Sequence, residues 1–115
     1  MSAMAPHVYI DNLGVCVECL LEVDLLTHGQ YKRLALVSYS VSNGIWSPCR
    51  IGIAGLQSDG YWYAVEPSKV RTWMHEHRQY LSKYRFKNAA QMPDAVLVEF
   101  RAYERLLNAY KELNC

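Results

Sequence analysis

The sequence predicts an α+β domain: an antiparallel meander sheet of four to six strands over residues 7–65, followed by two helices, 67–86 and 94–113, packed on one face of it. Three observations predict this. Hydrophobicity alternates with period two in the first half of the chain. Turn-forming stretches punctuate that half at short intervals. Beyond Pro67 the apolar residues change to helical spacing. A curled, barrel-like sheet carrying the same helices is the alternative within this class.

Residues 1–6 read as a loose arm, and His7 to Ile10 as a short strand ended by the turn Asp11-Asn12-Leu13-Gly14. Val15 to Asp24 alternates strictly and predicts a long strand. Thr27-His28-Gly29-Gln30 reads as its hairpin turn, and Tyr31 to Val41 as the returning strand. Asn43-Gly44 is a strong hairpin signal, because both residues accept positive φ. Ile45 to Ser47 then reads as a strand, and Pro48 as an edge or a break. Arg50 to Gln57 is a thin strand containing Gly52, Ala54 and Gly55. Tyr61 to Val65 returns beside it after Ser58-Asp59-Gly60, with its aromatics expected to cover those glycines.

Pro67 to Phe86 is the central helix. Pro67 suits the first helical position, and Glu66 before it complements the positive end of the helix dipole. At about 100° per residue, Val70, Trp73, Met74, His77, Tyr80, Leu81 and Tyr84 fall within an arc of about 120°. Arg71, Arg78 and Arg85 follow one another at seven-residue intervals beside that arc. Seven residues rise about 10.5 Å in nearly two turns, so the guanidiniums are expected in a row. A linker ending at Pro93 leads to a helix capped by Asp94. Val96, Phe100, Tyr103, Leu107 and Tyr110 form its apolar stripe, and Arg101 and Glu104 are spaced to pair on its outer side.

The chain has 115 residues and a formal net charge of +1, so it is the size of one domain and not globally basic; any polyanion site is local. The first residues lack a positive region followed by an apolar run, and no apolar stretch reaches the ~20 residues of a membrane span. A cytoplasmic location is the expectation, and its cysteines are expected as free thiols.

Cys16-Val17-Glu18-Cys19 is a CxxC without the second pair or the nearby histidines a zinc site needs. In a strand its cysteines are expected on opposite faces, as structural residues. His75 and His77 stand about 200° apart on a helix and cannot share a metal. No Ser–His–acid motif, phosphate loop or HExxH is present. No metal or cofactor is therefore expected, and catalysis is not the leading expectation. His77, at the middle of the apolar arc, is expected to face the interior of the helix–sheet layer, where burial disfavours its charge unless an acid pairs with it. The row of Arg71, Arg78 and Arg85, with His77, is the candidate anion- or ligand-binding surface.

Trp62-Tyr63 followed by Ala64, and the later Arg71-Thr72-Trp73, stand as in a known pattern. Residues 34–73 thereby loosely resemble the WYL domain, a β-rich ligand-binding module of bacterial regulators. Ala64 replaces the expected Leu, and the spacing to the Arg-Thr-aromatic triplet is shorter than the family's. The resemblance implies a strand at 70–73, where periodicity implies a helix.

Function follows from these parts as an expectation: a non-catalytic module that binds a small ligand or a protein partner and acts as a homo-oligomer. A nucleic-acid-binding or regulatory accessory domain using the basic helix edge is one alternative. A small hydrolase or isomerase with His77 in a pocket is another. The homodimer is expected from counting faces in the hairpin of residues 15–41. Val15, Val17, Cys19, Leu21, Val23, Leu34 and Leu36 form one apolar face, enough to receive both helices. Cys16, Leu20, Ala35, Val37, Tyr39 and Val41 form a second, which must be covered by curling of the sheet or by another copy. The second copy is preferred, with Leu20, Val37, Tyr39 and Val41 at the interface, because Pro48 and the glycine strand look like edge features.

Overall fold

A computed structural model describes residues 7–41, 49–87 and 94–114, with the backbone alone at 84–87. The arm of residues 1–6, the Asn43-Gly44 turn, the strand at 45–47, Pro48, the linker to Pro93 and the side chains of Tyr84 and Arg85 lie outside the described residues. The strands are β1 (Tyr9–Asp11), β2 (Gly14–Asp24), β3 (Tyr31–Ser40), β4 (Arg50–Gln57) and β5 (Trp62–Val65). The helices are α1 (Pro67–Lys87) and α2 (Asp94–Leu113). The class is α+β, as the periodicity requires: an antiparallel meander and then two helices packed against it.

The meander also closes. Each strand pairs antiparallel with the next, and β1 meets β5 in parallel through Ile10↔Trp62 and Asp11↔Tyr63, so the five strands form a closed barrel. Curling, the alternative in the sequence, is therefore how the second apolar face is covered. Ile10, Cys16, Ala35, Val37, Ala54 and Trp62 pack together on the inside. Ala35 pairs with Ala54, and these small side chains leave space for Trp62 and Ile10 in a narrow barrel.

Closure changes several expectations. Val37 is 0 % exposed inside the barrel, and Tyr39 is half-buried, so neither lies on a free face; Leu20 and Val41 remain exposed. The face count no longer calls for a second copy. β4, the glycine strand expected at an edge, is flanked on both sides by β3 and β5. Its glycines are covered by β3 and not, as expected, by the aromatics of β5. A Cβ at Gly52 would stand 2.9 Å from the Tyr39 ring, and one at Gly55 would stand 2.5 Å from the Tyr31 ring. Gly14 is also required, at φ 143° where the β1–β2 turn backs onto the Ser40 carbonyl.

Strict alternation in β2 fails at two places. Its register against β3 shifts between Cys16 and Glu18 and again between Cys19 and Leu21. Each bulge inserts an extra residue and resets which side chains face inward. Val17 and Leu20 are left exposed, Cys16 and Cys19 both join the inner cluster, and Leu21 and Val23 face the helices. The cysteines thus share a face, contrary to the expectation from a flat strand. Burial, above all, pushes both thiols above their ordinary pKa, so they pack as small neutral side chains.

The outer core lies between the barrel and the helices. Leu34, Leu36, Ile53 and Val65 meet Val70 of α1 and Tyr103, Leu106 and Leu107 of α2. No helix of the described residues is long and apolar enough to cross a membrane.

Candidate functional site

The two helical stripes meet the barrel as their spacing requires. On α1, Val70 and Leu81 are buried, Trp73, Met74 and His77 are half-buried, and Tyr80 stands at the rim, 40 % exposed. On α2, Phe100, Tyr103 and Leu107 are buried. So is Glu99, at 0 % exposure, three residues after Val96 and four before Tyr103 on the same face.

A carboxylate in that position must be met by donors, since burying an unpaired charge is very costly. Glu99 is met from three elements. The Thr27 amide donates to Oε1 at 2.8 Å, and the Thr27 hydroxyl donates to Oε2 at 2.6 Å. The Tyr103 hydroxyl donates to Oε2 at 3.1 Å, and His77 Nε2 lies 2.9 Å from the same oxygen. Burial is the largest single influence on Glu99 and raises its pKa. The bonds from Thr27, His77 and Tyr103 together outweigh it, and the carboxyl is held below its ordinary value. Tyr103 moves the other way: burial first, then the Glu99 charge, keep its hydroxyl protonated far above the usual range.

His77 is spent in this network. Its Nδ1 lies 3.0 Å from the Trp73 carbonyl oxygen, which only accepts, so Nδ1 carries a hydrogen. Its Nε2 faces the ionised Glu99. The acid that His77 requires if buried is therefore present, on α2.

His28 sits in the bend between β2 and β3. Its Nδ1 accepts the amides of Gln30 at 3.1 Å and Tyr31 at 3.0 Å, so the hydrogen of the neutral ring sits on Nε2. Burial, above all, lowers its pKa; the Glu99 charge opposes this and His77 adds to it. The ring meets Trp73 nearly edge-on, with centroids 4.4 Å apart. Trp73 in turn lies 5.9 Å from Tyr31 and 6.0 Å from Tyr103.

An open cleft of about 380 Å³ lies beside this network. The bend supplies Thr27, His28 and Gly29; α1 supplies Trp73, Glu76, His77 and Tyr80; α2 supplies Val96, Glu99 and Tyr103. Among the described residues, no buried side-chain nitrogen or oxygen lacks a hydrogen-bond partner. No group of three or more His, Cys, Asp and Glu among them is arranged to hold a metal ion. Both nitrogens of His77 are engaged, one by the Trp73 carbonyl and the other by Glu99, and a carboxylate of lowered pKa is a weak base toward the Thr27 hydroxyl.

The residues singled out in the sequence are dispersed. His77 reaches the cleft. Arg71 is exposed beside Met74, Leu107 and Lys111, away from it. Arg78 lies over the Phe100 ring, 5.7 Å from its centroid, with Arg101 at 6.0 Å. Arg78 thus ties α1 to α2, and Arg71 and Arg78 have different surroundings. Val37 and Tyr39 belong to the inner cluster of the barrel, Leu20 is exposed at a bulge of β2, and Val41 is exposed one residue past β3. Thr27, Tyr103 and Glu99 reach the site without a motif in the sequence to single them out. Glu99 carried a usable signal: an acid on an apolar stripe, as His77 is a histidine on the facing one.

Comparison of the chain with protein-family models, with curated proteins and with solved structures finds no match in any of the three. The WYL-like pattern is not upheld, since residues 70–73 lie within α1 and no family model matches.

Proposed function

We propose that the chain is a non-catalytic binding module whose cleft, between the β2–β3 bend and the two helices, takes a small ligand. The observation that carries this is a pre-formed recess with aromatic walls, held open by a polar network that is satisfied without a ligand. Small-molecule sites are of this kind: concave, a few hundred Å³, largely apolar, with a few fixed polar groups. The commitment of His77 to Trp73 and Glu99 favours binding over hydrolysis or isomerisation. The engagement of Arg78 with Phe100 speaks against a continuous basic edge for nucleic acid.

Screening small cyclic fragments against the intact chain by two-dimensional NMR tests the proposal. Hits are expected to shift the Trp73 indole and His28 ring signals saturably, and to compete with one another. Binding that leaves both signals still, or that maps to the groove of Arg71 and Lys111, would overturn it.

A further inference from the structure

We propose that the ligand of this cleft is an organic cation, an alkylated ammonium seated against Trp73 and Tyr80 with Glu76 as its counter-charge. This rests on the cleft being a binding site and names the class of molecule it takes.

Charge excludes the opposite class. Among the described residues, the lining contains two carboxylates, Glu76 and Glu99, and no lysine or arginine. The negative charge of Glu99 is fully engaged by His77, Thr27 and Tyr103. Glu76 is different. It is exposed, and among the described residues it makes no hydrogen bond or ion pair. It stands three residues after Trp73 and four before Tyr80, so the three share one flank of α1. Its charge is felt in the cleft, being among those that raise the Tyr103 pKa. An anion entering here meets the Glu76 carboxylate and, among the described residues of the lining, no lysine or arginine, while His77 is already paired with Glu99. A neutral ligand leaves that carboxylate unused.

The walls fit the same class. Aromatic faces attract cations through the ring quadrupole, and alkylated ammonium groups are bound by such rings together with a carboxylate. Trp73 and Tyr80 provide two rings on one helix, and His28 adds a third. The amides of Gln30 and Tyr31 on His28 Nδ1 hold that ring neutral, so it brings aromatic surface without positive charge.

Tetramethylammonium, the neutral alcohol 3,3-dimethylbutanol and benzoate separate the classes when each is titrated into the intact chain while the Trp73 indole and His28 signals are followed. Tetramethylammonium is expected to bind saturably and more tightly than the alcohol, and benzoate not at all. Glu76→Gln is expected to weaken tetramethylammonium about fivefold, the scale of one partly solvated charge pair. Tyr80→Leu should weaken it independently, with circular dichroism confirming that both variants fold. Equal binding of the alcohol, or no effect of Glu76→Gln, overturns the cationic class and leaves the cleft as a binding site. If no probe, charged or neutral, moves either signal, the cleft itself is not a binding site and both proposals fall.

Discussion

The inside of the barrel and the layer between barrel and helices both exclude water, but they are built from different chemistry. Inside, Ile10, Cys16, Ala35, Val37, Ala54 and Trp62 form an apolar cluster, and none of the described residues buried there is charged. The layer outside contains Glu99 at 0 % exposure, with His77, Thr27 and Tyr103 gathered around it. Apolar packing tolerates any arrangement that fills space, whereas a buried carboxylate admits only the one that supplies its donors. The barrel is thus closed by shape. The seating of the helices and of the β2–β3 bend is specified by hydrogen bonds, and the cleft opens on that specified side.

The sharpest test of the difference is a charge placed inside the barrel. Val37→Lys puts an ammonium among side chains that offer it no acceptor. The expected loss is roughly 4–6 kcal/mol, from the pKa displacement of a fully buried lysine. That is comparable to the whole stability of a small domain, ~5–15 kcal/mol. Circular dichroism should show an unfolded or barely folded chain. A folded variant with unchanged melting would mean that Val37 is not inside, and would undo the assignment of faces on β3.

The polar layer is broken differently. Glu99→Ala strands Thr27, His77 and Tyr103, at an expected cost of about 3–5 kcal/mol. Glu99→Gln keeps the shape and should cost about 2 kcal/mol. Acid separates the regions further. The Glu99 carboxyl is held below its ordinary 4.5, so its contribution is complete above that pH and is lost as pH falls through the lowered value. His28 is lowered from 6.5, so protonation favours the unfolded chain below 6.5 and adds a shallower loss at higher pH. Urea midpoints should therefore fall from pH 7 to pH 3. Glu99→Gln should flatten the part below 4.5 and deepen the part above it, because the Glu99 charge no longer supports protonation of His28. An acid limb unchanged by that substitution would remove the network as its source.

Arg78→Ala makes the smallest change. It removes one of the two cations over Phe100, a ring outside the cleft lining, and should cost about 0.5–1 kcal/mol, the worth of an exposed cation–π contact. Denaturant unfolding resolves this, and the cleft signals of Trp73 and His28 should stay where they are. Movement of those signals would show that the Arg78–Phe100 contact helps to shape the cleft, whose lining includes neither residue.

Local order was legible in the sequence. The bounds of β4 and α2 agree with the turn and cap signals around them, and the stripes of both helices point inward. β3 alternates as expected, with Leu34 and Leu36 outward to the helices and Ala35 and Val37 inward. The period of apolar residues depends only on backbone geometry within one element, so a single stretch suffices to show it. The bulges at Val17 and Leu20 lie beyond that reach, because a register shift is a property of two strands. So is the choice between a closed barrel and a covered open sheet, which turns on whether β1 can meet β5. The sequence placed a histidine and an acid on two apolar stripes and thereby required partners for each. Only the folded chain could name them, since Glu99 draws its donors from Thr27, 72 residues away, and from His77, 22 residues away. A buried charge states its need locally, and the groups that meet it are brought there by packing over the whole domain.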